Sequence, residues 1–426
     1  MAALPSAQRS PRLRTPRVAE QIVPGAEDPT LPTPSNERLW LAYLSGAFGL
    51  AATAQINFLV PLRARELGAS FEVIGLIVGA GAAVPAILSV TTGAAIDRLG
   101  SRRAFLLGTV STGILSAIGL LVTNYWWLLA LQSVLGIARN LGWLASQTYI
   151  TGVGPEDLRQ RTASRFAFFT SSGQMAAPAM MGAVAQFTGY RSAFLFLAAY
   201  AFAFSLVGAR LPRVPHEDAP RPATATTFGL RAALHLLGNR PIQVVLLLSG
   251  LRLWITWVYT AFIPVYLVDR GLPPALVGTV LATYGVLGAI STPTTEFWTR
   301  FLSPVRVAML AMVAGAVGLL LAPHLVAVPV VYLVPALIGI SQGLSLPVIL
   351  TIMGGSAPPG QRGVALGLRS AVNQTTAAAG PVLVGTLISA LGVVTGFTIG
   401  GLFAGGIVLG AHALDMRREV EDTRID

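Results

Sequence analysis

From Arg38 onward, stretches of about twenty apolar residues recur along the chain, separated by short polar breaks. Twenty residues at 1.5 Å each match the ~30 Å hydrocarbon thickness of a bilayer. The apolar runs are continuous rather than alternating, which selects helices over barrel strands as the spanning element. The pattern predicts spans at 39–62, 71–95, 104–123, 125–149, 163–187 and 192–211. After a polar break, six more follow at 242–268, 275–299, 305–322, 326–352, 364–390 and 393–414. The fold class is therefore an all-α membrane protein of twelve transmembrane helices.

The polar break divides the chain. Residues 212–240 hold four prolines and mixed charges and read as a cytosolic linker between six-helix bundles at 38–211 and 241–414. Residues 1–37 carry seven prolines without a long apolar run, and read as a disordered cytosolic tail; 415–426 form a second tail. Sliding one half over the other by 203 residues aligns Gly68, Gly75, Gly136, Gly152, Gly182 and Gly189 with Gly271, Gly278, Gly339, Gly355, Gly385 and Gly392. Pro61, Pro155 and Pro178 fall on Pro264, Pro358 and Pro381 in the same register. Chance would align about two or three of the glycines, so the halves are parallel repeats. Such repeats put the substrate site at their interface near the bilayer midplane.

Composition sharpens this picture. Only 11% of residues are charged and mean hydropathy is +0.68. Soluble domains carry roughly 25% charge, so most of this surface faces lipid. All 29 basic residues are Arg, and the net charge is +11. Their distribution argues against a nucleic-acid surface. Twenty-one lie in the tails and in the loops on the terminal side; four, Arg63, Arg65, Arg191 and Arg270, lie in the opposite loops. That bias orients both termini towards the cytosol, in a plasma (inner) membrane, and the Lys-free, Ala- and Gly-rich composition points to a prokaryotic source. Without Lys there is no phosphate-binding Walker A loop. Without Cys, and with four scattered histidines, no metal cluster or cofactor site is expected. No nucleophile–base pair suggests an enzyme.

One loop carries a specific signature. Gly93, Asp97, Arg98, Gly100, Arg102 and Arg103 fit the pattern G-x-x-x-D-R-x-G-x-R-R between the second and third spans. On these residues the chain resembles the major facilitator superfamily. The resemblance implies two six-helix pseudo-symmetric bundles that rock about a central site, with this loop as a gating latch on the cytoplasmic side. The second half retains only Arg300 and Arg306 in its equivalent loop. Gly173, Pro178 and Gly182 in the fifth span are similar to the family's G-x-x-x-G-P-x-x-G-G antiporter signature, and Gly380, Pro381 and Gly385 repeat its core in the eleventh. These are read as helix-kink positions, because proline removes a backbone hydrogen bond and glycine lets helices approach. The alternative is a kinked packing helix with no bearing on transport direction.

Charges within the spans mark the candidate substrate cavity. Arg139 and Arg252 lie near mid-bilayer, where an arginine costs ~2.5–3.5 kcal/mol on insertion scales and usually faces a cavity. On the fourth span Gln132, Arg139 and Trp143 share a helical face, with Asn140 beside them. On the seventh, Arg252, Thr256 and Tyr259 share one, and on the eleventh so do Arg369 and Asn373. The repeat sets Gln342 at the depth of Arg139; Gln55, Asn57, Trp257 and Tyr284 complete the polar set. No acidic residue lies at mid-membrane. Either a ligand supplies negative charge to the arginines, or backbone carbonyls, water or Asp97 satisfy them. Glu296 and Asp97 are the candidate proton-coupling carboxylates. The leading expectation is proton-coupled efflux of a small amphipathic or anionic organic solute by a monomer in the lipid bilayer. Symport uptake of an organic anion and a non-transporting membrane sensor or lipid-handling protein on the same fold are the alternatives.

Overall fold

The computed structural model describes residues 36–152, 159–212, 235–328, 330–356 and 362–425. Among them every regular element is helical: α1 (Asn36–Glu66), α2 (Phe71–Ile87), α3 (Ser89–Leu99), α4 (Ser101–Gly119), α5 (Tyr125–Gly152), α6 (Arg159–Arg210), α7 (Arg240–Asp269), α8 (Pro274–Ser291), α9 (Thr295–Thr299), α10 (Pro304–Leu321), α11 (Leu333–Ser356), α12 (Arg362–Leu391) and α13 (Val393–Ile425). Most of the 1–37 tail, most of the 212–240 linker, and Pro155 and Pro358 lie outside the described residues.

Nine of the described helices are long and apolar enough to cross a membrane, and the α2–α3 pair, bent by 61°, makes a tenth. The two remaining predicted spans have local explanations. The 52 residues of α6 contain two spans, because Gly189 breaks the helix at φ 79°. Either side of that break, Gly173 packs on Ala47, and the Tyr200 hydroxyl donates to the Ala47 carbonyl at 3.2 Å. The chain therefore folds back on itself at Gly189. The other is α4, which packs between α5 and α6 and begins with the polar residues Ser101, Arg102 and Arg103. Large apolar side chains such as Phe187, Leu121 and Leu409 face outward, as they do only where the surroundings are apolar.

The 203-residue repeat is written in backbone geometry. Gly68 and Gly271 turn α1 into α2 and α7 into α8, and Gly189 and Gly392 turn the last two spans of each half; all four have φ between 79° and 89°. In this region a Cβ is costly, so only glycine serves well. The other matched glycines are contact points. A methyl group added at Gly136 would sit 2.6 Å from the Gly81 carbonyl oxygen, and one at Gly339 would collide with the carbonyl of Tyr284, the repeat mate of Gly81.

Two seams join the bundles, α2 with α12 and α6 with α8. They are the same seam twice. A methyl group at Gly278 would lie 2.5 Å from the Pro178 carbonyl oxygen and 3.1 Å from the Gly182 Cα. A methyl group at its mate Gly75 would meet the carbonyl of Pro381, the mate of Pro178. Gly182 faces the Pro274 carbonyl, and Gly385 faces that of Phe71. Even the hydrogen bonds repeat: the Glu72 N–H donates to Ser389 Oγ at 2.8 Å, and the Ala275 N–H to Gln186 Oε1 at 3.1 Å. Each binds the first turn of a helix, where N–H groups lack intrahelical partners, to the opposite bundle. Arg65 adds an asymmetric contact: its Nη2 lies 2.9 Å from Asp269 Oδ2 across the same end. Exposed pairs of this kind contribute roughly 0–1 kcal/mol, so backbone-to-backbone packing is the main closure.

At the opposite end the described glycines are not packed in this way. Gly93, Gly354, Gly355 and Gly367 have free space beside them, and Asp97 and Arg98 are exposed. The hydrophobic core follows suit: one cluster runs through both halves, and a smaller one around Tyr43, Phe48, Phe105, Tyr149 and Phe166 stays within the first.

Candidate functional site

A cavity of about 160 Å³ lies between the halves. From the first half α1 contributes Thr53, α2 contributes Gly81, Ala82 and Pro85, and α5 contributes Arg139, Asn140 and Trp143. From the second half come Trp257 of α7 and Gln374 of α12. Backbone packing shapes it. Gly136 brings α5 against α2, and the buried Gly81 carbonyl accepts a long hydrogen bond, 3.4 Å, from Arg139 Nη2. Arg139 is buried, and its Nη1 has no partner. An arginine held this way leaves most of its hydrogen-bonding capacity and all of its charge directed at the cavity.

Arg139, Asn140, Trp143 and Trp257, four of the sequence candidates, line this cavity together. Gln132 is two helical turns from Arg139: it is buried against Gly81, with its Oε1 unpaired. Gln55 is buried with an unpaired Oε1, and Asn57 is half-buried; neither lines the cavity. A second group gathers around Arg252. Gln342 Nε2 donates to the Arg252 carbonyl at 3.1 Å, and the Thr256 hydroxyl donates to the same oxygen at 3.0 Å. Asn373 accepts from Ser249 at 2.8 Å, which ties α12 to α7. Tyr284 of α8 and Arg369 of α12 are partly buried, and the Arg369 Nε has no partner. Tyr259 is wholly buried, and its hydroxyl has no partner.

Thr53, Gly81, Ala82, Pro85 and Gln374 were not among the candidates. A signal for Thr53 exists: the 203-residue register maps it onto Thr256, and both hydroxyls donate to the carbonyl four residues back. Gln374 adjoins Asn373 but lies off its predicted face, so spacing alone does not reveal it.

Elsewhere the placements are these. In the latch loop, Gly100 takes φ 80° and turns α3 into α4, while Arg102 donates to the carbonyls of Gly208 and Ala209 at the end of α6. Arg103 is exposed, and Asp97 has no ion pair among the described residues. Pro178 and Pro381 are spent on the seams, as are Gly182 and Gly385; Gly380 packs on the Trp254 ring instead. Glu296 is exposed in α9, beyond a 3-10 turn at Thr292–Thr294, and pairs with Arg300 at 3.2 Å. No group of three or more metal-ligating side chains occurs among the described residues.

The sequence profile of the Major Facilitator Superfamily matches residues 39–293 and 253–424, nearly the whole chain. The chain belongs to the major facilitator superfamily. Its fold is that of solved members. The nucleoside transporter NupG superposes with a TM-score of 0.74 at 16% identity, covering 89% of this chain and 99% of that one. A bacterial homologue of the human lysosomal transporter Spinster, in an inward-facing and unoccupied conformation, superposes with a TM-score of 0.71 at 15% identity, covering 89% and 95%. At these identities the likeness is one of fold. No curated protein matches the chain in sequence. Membership makes the chain a multi-pass membrane protein with the twelve-helix, two-bundle superfamily fold, and a secondary transporter.

Proposed function

We propose that this transporter works by alternating access and exports a small anionic organic solute from the cytosol. The observation that carries this reading is Arg139: buried in the inter-bundle cavity, half-satisfied by one carbonyl, and without a carboxylate near it. A bare cation in a low-dielectric site costs several kcal/mol unless something neutralises it. The ligand is the missing counter-charge.

Orientation follows from the arginines. Four flank the closed end and twenty-one the other side, so the closed end is external, both termini are cytosolic, and the cavity opens to the cytosol. The bundles, 38–211 and 241–414, rock about the cavity. In the alternate state the seams at Gly75–Gly385 and Gly182–Gly278 part, and the free space around Gly93 and Asp97 closes. Efflux suits an anion, because an inside-negative potential drives it outward by ~2.3 kcal/mol per charge per 100 mV. Proton coupling, which would add to this, falls to Glu296 or Asp97. The protein acts in the plasma membrane as a monomer.

The test is counterflow. Proteoliposomes loaded with an unlabelled organic anion should take up the same labelled anion against its gradient, and Arg139→Gln should abolish the uptake. Uptake of cations or neutral solutes only, with anions inert, would refute the anionic reading.

A further inference from the structure

Two tryptophans, one from each bundle, line the cavity that holds Arg139: Trp143 of α5 and Trp257 of α7. The duplicated scaffold does not require them. In the 203-residue register their mates are Leu346 and Ala54, so neither belongs to the packing that the halves share. Trp143 is wedged in place. Its ring stacks on Phe166 with 6.3 Å between centroids and 18° between planes, and a methyl group at Gly49 would meet it from α1. Trp257 follows Trp254 by about one turn of α7, and the two indoles are used differently. The Trp254 N–H donates to the Gly400 carbonyl at 3.2 Å. Among the described residues the N–H groups of Trp143 and Trp257 have no protein partner, nor do the carboxamides of Asn140 and Gln374 in the same lining. A tryptophan taken out of water ordinarily finds a partner for its N–H. Here all four polar groups are left to the occupant of the cavity.

Size limits that occupant. The cavity measures about 160 Å³. An engineered protein cavity of about 150 Å³ admits benzene, so the space is that of one six-membered ring with short substituents. Aromatic surface then selects among rings of that size. An indole attracts the edge or the offset face of another aromatic ring through complementary quadrupoles, in addition to the burial of area. A saturated ring of the same size obtains the burial alone. Charge selects once more. Arg139 presents an unpartnered Nη1 and a weakly held Nη2, the fork that one carboxylate fills. Arg139 is the one cation in the lining among the described residues, so a second negative charge would go unmatched.

Resting on the anionic reading above, we propose that the solute is a single-ring aromatic monocarboxylate, its carboxylate on Arg139 and its ring received by Trp143 and Trp257. The carboxamides of Asn140 and Gln374, each able to donate and to accept, favour a ring that carries a hydroxyl. Because the two indoles belong to opposite bundles, the ring is also the element that joins them.

The experiment is equilibrium binding, with thermal shift as a second readout, on the full-length protein in detergent. Benzoate and 4-hydroxybenzoate are compared with cyclohexanecarboxylate, which keeps the charge and ring size without the π-system, and with benzamide, which keeps the ring without the charge. The aromatic acids are expected to bind about fivefold or more tightly than cyclohexanecarboxylate and about tenfold or more tightly than benzamide, with 4-hydroxybenzoate the tightest. Trp257→Leu should bring the ratio of benzoate to cyclohexanecarboxylate affinity within about twofold of unity, and Trp257→Phe should keep most of it. A tryptophan that only shapes the fold would weaken both acids alike and leave the ratio standing, which overturns the proposal. Cyclohexanecarboxylate binding as tightly as both aromatic acids also overturns it and leaves the anionic reading in place. Benzamide binding as tightly as benzoate overturns the anionic reading and the proposal with it, as does the absence of binding by every member of the panel. Weaker binding of 4-hydroxybenzoate than of benzoate overturns the role given to the carboxamides. Should Trp257→Leu unfold, Trp143→Leu gives the same ratio from the other bundle, and an undiminished ratio there equally overturns the proposal.

Discussion

Substituting Gly278 by Ala puts the closure mechanism to a quantitative test. The new methyl group would lie 2.5 Å from the Pro178 carbonyl oxygen, with the Gly182 and Ala179 Cα atoms at 3.1 and 3.2 Å. All three are backbone atoms of α6, so no side chain can swing aside. Ordinary contact begins near 3.4 Å, and the seam must widen by about 0.9 Å. Overpacking of this kind costs ~1–3 kcal/mol. The cost falls only on the state in which the seam is closed, so the equilibrium should move toward the opposite state by about 5- to 150-fold. The chain has no native cysteine, which allows site-specific spin labelling without background mutations. Ser192 and Thr395, exposed repeat mates just beyond Gly189 and Gly392, report across the closed end. Pulsed dipolar spectroscopy on the doubly labelled Ser192→Cys, Thr395→Cys protein should show a longer-distance population that grows at least fivefold in Gly278→Ala. Gly75→Ala, at the symmetric seam, should do the same. Gly354→Ala, with nothing within 4 Å, should leave the distribution unchanged. An unaltered distribution in both seam variants would refute the claim that these glycines hold the closed end.

Three further outcomes follow from the same geometry. Arg139→Gln should abolish anion binding yet leave the melting temperature of the ligand-free protein equal or higher, because an unpartnered buried charge is removed; circular dichroism melts check this, and a fall of several degrees would mean Arg139 is structural. Asp97→Asn should slow transport several-fold with substrate affinity unchanged, measured as counterflow rate against binding; a parallel loss of affinity would assign Asp97 to the substrate instead. Glu296→Gln should flatten the pH dependence of flux, and a retained pH dependence would eliminate Glu296 as the proton carrier.

Much of the fold was legible in the sequence because the duplication left glycines where backbone geometry admits nothing else. Gly68 and Gly271, or Gly75 and Gly278, match in register since each pair solves one steric problem twice. The bend between α2 and α3 was not legible, nor was the break of α8 at Pro293: hydropathy runs straight through both. The candidate site was partly legible. Helical spacing groups Arg139 with Trp143 on one face, but which neighbouring helix completes the lining depends on how the bundles are tilted. That is why Trp257 and Gln374 meet Arg139 in the cavity while Arg252 and Gln342 form a separate group. The loop motif singles out Asp97, yet a motif carries no information about conformational state. Here Asp97 is exposed and has no ion pair among the described residues.

The central claim is that a bare arginine between two rocking bundles selects an anion for transport. Solid-supported-membrane recordings on proteoliposomes read it most directly, since every translocated anion carries current. Concentration jumps of benzoate, 4-hydroxybenzoate and cyclohexanecarboxylate should produce a saturable transient of the sign of negative charge movement for at least one of them, absent in Arg139→Gln. Equal transients in wild type and Arg139→Gln, or no transient for any anion while a neutral solute is taken up, would contradict it.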